Sequence, residues 1–196
     1  GTWASVRGGA GTTGFPSDTA TSTALLTNGS NWEQFNRAIL LFDTSALPDG
    51  DAILSATLNL RGFTKEDPFS AAIVTVASNS ASDIDIVEGD YETMGTTALS
   101  STLSIASYSI AGYNSLTLNA GGLAAIEVAG VTKLGVIHEP DRANSEPSFS
   151  ADVISIASFY TADESGSTRD PYLEINHGAA EEGGNSSRML LLGVGL

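Results

Sequence analysis

The chain has 196 residues, no cysteine, and 8 basic against 23 acidic residues, for a net charge of −15. That length suits a single sandwich or barrel that buries roughly 70% of its unfolded surface without covalent staples, and the missing thiols exclude disulfides, thiolate metal sites and cysteine nucleophiles. So negative a field repels phosphate backbones and anionic lipid, and no apolar run reaches the roughly 18 residues of a membrane span, so neither nucleic acid nor a membrane is an expected partner.

Along the chain, the dominant signal is period-two alternation in short runs separated by Gly, Ser, Asn, Asp and Pro, which predicts half-buried antiparallel strands. Early on, Asn28-Gly-Ser30 fits the N-glycosylation pattern, and Trp32 stands in a polar loop where an exposed indole is a candidate platform for a sugar ring. Residues 35–43, FNRAILLFD, are apolar on both faces and predict a central strand. Asp49-Gly50 then predicts a turn.

In residues 53–63, Leu54, Ala56, Leu58 and Leu60 share the predicted inward face, opposite Ser55, Thr57, Asn59 and Arg61. The pattern repeats with Ala72, Val74 and Val76, and Asp83, Asp85, Glu88 and Asp90 follow in a loop segment. These four carboxylates, with Asp141 and Asn144 further on, are candidates for a structural Ca²⁺, although neither group has the spacing of a calcium loop. The segment VEGDYETMG predicts a short helical turn.

Leu116 and Leu118 predict another strand, and residues 121–128 predict a small helix with Asn119 as its N-cap and Gly130 at its end. Leu134 with Val136, Ile154 with Ile156, and Leu173 with Ile175 complete the alternating pairs. His138 and His177 close two of these strands; neither lies in a metal-ligand motif, there is no G-x-S-x-G elbow, and no pair of carboxylates is singled out as acid and base. Catalytic residues are therefore expected to be none, and no cofactor is assigned beyond the Ca²⁺ candidate.

Eight or more short strands with one or two short helices predict an all-β, antiparallel two-sheet jelly-roll sandwich over residues 1–177, with a C-terminal extension strand. Residues 178–188 are Gly-, Ala-, Glu-, Asn- and Ser-rich and predict a flexible linker. It holds a second glycosylation sequon at Asn185. Residues 189–196 are apolar throughout. Met189, Leu190, Leu191, Leu192, Val194 and Leu196 predict a strand to be added to a sheet, either its own or a neighbour's.

Two stretches carry a family resemblance. Residues 35–62, with Arg-Ala-Ile-Leu-Leu leading into Phe42-Asp43, the Leu47-Pro48 turn and Ala56-Thr-Leu58, resemble the signature of DNRLRE-type domains of secreted, surface and phage proteins. Residues 155–177, around Pro171-Tyr172-Leu173-Glu174, are similar to that family's closing strands, and TWASVRGG looks like its first strand. The resemblance implies a jelly roll outside the cell, in which the motif residues are scaffold and some relatives bind carbohydrate.

The expected function is a non-enzymatic extracellular structural subunit. It builds a fibre, or docks in a cell-surface or virion assembly, by donating a terminal strand to identical subunits or neighbouring proteins. The alternative is a carbohydrate-binding module of a larger secreted or phage protein.

Overall fold

The computed structural model describes residues 1–16, 18–179 and 187–193, the last of these by backbone alone. Two antiparallel sheets pack as a β-sandwich. One runs in the order β11-β10-β4-β9-β1-β2 with β7 also on β4, and the other runs β3-β8-β5-β6. The strands are β1 Ala20–Asn28, β2 Asn31–Asn36, β3 Ala38–Asp43, β4 Asp51–Glu66, β5 Ala72–Ala77 and β6 Leu103–Ser104. Then come β7 Tyr113–Thr117, β8 Val131–His138, β9 Ile154–Tyr160, β10 Tyr172–Ala179 and β11 Ser187–Gly193.

Between the sheets lies one continuous core, centred on Phe42, Leu58, Leu60, Leu116, Leu134 and Phe159. Leu173 and Ile175 of β10 are wholly buried in it. Burying a side chain of this size contributes about 1.5 to 3 kcal/mol, which is what holds two sheets face to face without disulfides.

Helix is confined to short pieces, more of them than the sequence predicts. Among the described residues they are α1 Trp3–Arg7, α2 Ala120–Ala124, α3 Glu139–Ala143, and 3₁₀ turns at Glu88–Thr93 and Ile105–Ser107. The predicted helix at 121–128 is α2, with the Asn119 side chain accepting from the Gly122 amide, but it ends at Ala125 rather than Gly130. The expected turn in VEGDYETMG is the first 3₁₀ piece, closed by the Asp90 carboxylate accepting from the Val87 amide.

Four local expectations need correction. The opening TWASVRGG is not a strand: Thr2 accepts from the Ser5 amide as an N-cap and starts α1, which buries Trp3. Residues 35–43 are not one central strand. Arg37 breaks the run, leaving β2 at the edge of one sheet and β3 at the edge of the other.

In β4, a bulge skips Leu54 (Asn176 pairs with Ser55, His177 with Ile53), so Ile53 packs on the core and Leu54 is exposed. In β9, Ser155, Ala157 and Phe159 are wholly buried while Ile154 and Ile156 are only half-buried, the reverse of the predicted face. The reversal has a chemical reason. Ser155 Oγ lies 3.0 Å from Nε2 of the buried His138, which must have polar partners.

Candidate functional site

β10 is the innermost part of the seam at the end of the chain. It is held on β4 from Tyr172↔Asn59 to Ala179↔Asp51, and its Leu173, Ile175 and His177 face inward. Its last imidazole is pinned, with His177 Nδ1 lying 2.7 Å from Asp51 Oδ2. The other edge of β10 carries β11, antiparallel and in unbroken register from Tyr172↔Gly193 to Gly178↔Ser187. Leu192 and Leu190 stand opposite Leu173 and Ile175, Leu191 opposite Glu174, and Met189 opposite Asn176.

β10 is paired along its length with β4 before β11 begins. Among the described residues, β11 hydrogen-bonds within its sheet only to β10, and it comes within 8 Å, Cα to Cα, of β3 at the edge of the other sheet. Of the predicted assembly residues, Met189, Leu190, Leu191 and Leu192 are in β11, whereas Val194 and Leu196 lie outside the described residues. Of the predicted linker 178–188, Gly178 and Ala179 end β10, Ser187 and Arg188 begin β11, and residues 180–186, Asn185 among them, lie outside the described residues too.

A second constellation ties four chain segments together. Arg37 donates from Nε to Asp141 Oδ2 at 2.8 Å and from Nη2 to Oδ1 at 2.9 Å. It also donates to the carbonyls of Tyr91 and Arg7. Its guanidinium lies 3.8 Å from the centre of the Tyr91 ring. Arg7 adds a bond to the Asp141 carbonyl and an ion pair to its carboxylate at 3.2 Å.

Burial pushes the Tyr91 phenol up to about 12, with the nearby arginines pulling the other way. A 210 Å³ pocket opens beside this cluster, with Arg142 on its wall paired to Glu139. All three arginines already have carboxylate partners, so the arrangement works as a clamp on the N-terminal segment and leaves no unpaired cation for an anionic substrate.

A larger groove, about 1120 Å³, runs alongside the point where the chain changes sheets. Residues 33–41 form one wall, and β1 contributes residues 20–22. β1 pairs with β2 from Ala24 to Asn28, so residues 20–23 have, among the described residues, no strand paired on that side. Exposed Phe15, Phe63, Ile84 and Val87 lie in the groove, and Asp18, Glu33, Asp85, Glu88 and Asp163 also line it.

The remaining predicted site residues separate. Trp32 is buried, 2% exposed, and its ring sits among Trp3, Phe35, Phe69 and Phe149 while Nε1 donates to Glu146 at 2.6 Å. It presents no face to a sugar. The sequence hid this because its neighbours in the chain are polar, whereas its cluster is assembled from four distant segments.

Asp83 pairs with Lys133, Asp85 caps the Ile86 amide, Asp90 is buried as a turn cap, and Glu88 sits in the groove. Asp141 is held by Arg37 and Arg7, and Asn144 Oδ1 accepts from Trp3 Nε1. Among the described residues, no group of three or more His, Asp or Glu is placed to hold a metal ion. Asn28 is exposed at the β1–β2 turn, beside Gly29 at φ 58°, where a glycan has room.

His138 is wholly enclosed. Thr23 Oγ1 lies 2.7 Å from Nδ1, and burial pushes the imidazole down to about 3. It is a neutral core residue with both ring nitrogens satisfied.

No protein-family model matches the chain, and no curated protein matches it.

Proposed function

We propose that the protein is a non-enzymatic structural subunit of an extracellular, cell-surface or virion assembly, joined to its neighbours through the strand that follows the sandwich. The observation that carries this reading is the position of β11. It is an addition to a sheet edge, paired in its sheet, among the described residues, only with β10, and it follows a strand that is already fixed on β4.

Its sequence is suited to exchange. Three leucines and a methionine in succession, Met189 to Leu192, would contribute about 1.5 to 3 kcal/mol each on burial, before ordering costs. The resemblance to DNRLRE-type domains supports the same setting, since those domains serve outside the cell. The carbohydrate-binding alternative loses its leading aromatic contact with the burial of Trp32.

The test compares the full chain with a chain ending at Ala179, by multi-angle light scattering and negative-stain electron microscopy. The reading expects oligomers or filaments of the full chain, and a folded monomer of the shortened one. Monomers in both cases, up to millimolar concentration, overturn it.

A further inference from the structure

Resting on that reading, we propose that the acceptor for a donated β11 is the β10 edge of a second copy, in the same register as within one chain, and that the self-docked strand is the resting state that holds assembly back. The seat is already visible. β10 offers an edge from Tyr172 to Gly178, and β11 of the same chain fills it residue for residue. A surface that fits a strand in one chain fits the identical strand of another, so the exchange needs no new complementarity, only a hinge.

The connection between the two strands is residues 180–186, whose sequence is AEEGGNS. By chain statistics, a tether of seven residues would have ends roughly 15 Å apart on average. A tether of that kind gives the strand an effective concentration in the millimolar range at its own β10. Self-docking therefore wins in a dilute micromolar solution, and exchange wins where subunits are crowded to millimolar levels or where the hinge cannot turn back. The contact is head-to-tail if each strand passes to the next copy, which gives an open fibre. It closes as a two-fold dimer if two copies trade strands.

The large groove beside β3 is the competing acceptor. Acidic residues line it, and Arg188 at the start of the strand would be attracted there. The β10 edge is favoured because its fit to this strand is observed and the groove's is not.

Two measurements on the full chain test the proposal. In the first, residues 180–186 are replaced by seven prolines. A polyproline rod of that length holds its ends about 22 Å apart, too far for Gly178 and Ser187 to remain neighbours across a hairpin. This variant is expected to assemble at concentrations at least a hundredfold below those the parent needs. A monomer with a protease-sensitive tail would overturn the proposal.

In the second, isotope-labelled Asn176→Cys chains are mixed with unlabelled Met189→Cys chains, and Glu174→Cys with Leu191→Cys, at millimolar concentration under mild oxidation. The native chain has no cysteine to interfere. Paired antiparallel residues have Cα separations of about 4.5 or 5.5 Å, both within disulfide reach. Mixed-label disulfides at both pairs are the expected result. Tail-dependent assembly without them, or a link from Leu191→Cys to Leu41→Cys in the groove, overturns the acceptor while leaving the strand-donation reading intact.

Discussion

Asp51 and His177 meet across the first sheet, Oδ2 to Nδ1 at 2.7 Å, one at the start of β4 and the other near the end of β10. Their contact fixes the last strand of the sandwich from the inner side, independently of β11 on the outer side. The side chain of His177 is only 6% exposed and that of Asp51 14%. The domain therefore has a secure edge before its final strand is added.

A chain ending at Ala179 is accordingly expected to keep its fold. Circular dichroism and thermal melting should show a cooperative transition, with the melting temperature lower than the parent's by only a few degrees, the scale of about 1 kcal/mol in a domain of this size. Loss of cooperative unfolding would mean that β11 is part of the core.

The clamp between Arg37 and Asp141 makes a stronger prediction. The carboxylate side chain of Asp141 is 2% exposed, and Arg37 supplies two of its bonds. Arg37→Ala should destabilise the fold by about 3 to 5 kcal/mol, because it leaves a buried charge short of its main partner. Arg37→Lys should recover little, since an ammonium cannot reproduce the forked geometry or the stacking on Tyr91. Urea titration measures both; a loss under 1 kcal/mol for Arg37→Ala would contradict the clamp.

Trp32→Ala should cost about 3 to 5 kcal/mol in the same assay, as expected for a large buried aromatic. Trp32→Phe should retain part of the ring packing while losing the bond to Glu146. An unchanged stability in Trp32→Ala would mean that the indole is not in the core.

The buried imidazole sets a pH dependence whose sign follows from its downward shift. His138 is neutral in the folded protein down to about pH 3, whereas in the unfolded chain it binds a proton below about 6.5. Between these values the unfolded state holds the extra proton. The contribution is fully present above 6.5 and is lost as pH falls toward 3, by at most about 1.4 kcal/mol per pH unit. Unfolding free energies at pH 7.5 and 5.0 should differ by more in the parent than in His138→Gln. Equal slopes would contradict the assignment.

How far the sequence foretells the structure depends on whether a residue's neighbours in space are also its neighbours in the chain. Leu58, Leu60, Leu116, Leu134 and Leu173 all lie inward as their alternation predicts, because strand parity is a local property. Leu54 departs from it through a bulge set by pairing with β10, and Ile154 and Ile156 through the needs of His138 on another strand. Neither cause is visible in the local pattern.

The clamp was equally hidden, since Arg7, Arg37, Tyr91 and Asp141 are scattered over 135 positions and carry no spacing signature. The final strand was legible as an apolar run after a polar stretch. Its partner was not, because a free-standing apolar strand fits any open edge.

The most direct test of strand donation is light scattering of the full chain from micromolar to millimolar concentration, with the chain ending at Ala179 alongside. The account predicts a mass that rises with concentration in the full chain only, while the shortened chain remains at the monomer mass. A full chain that stays monomeric across the range, or a shortened chain that assembles equally well, would contradict it.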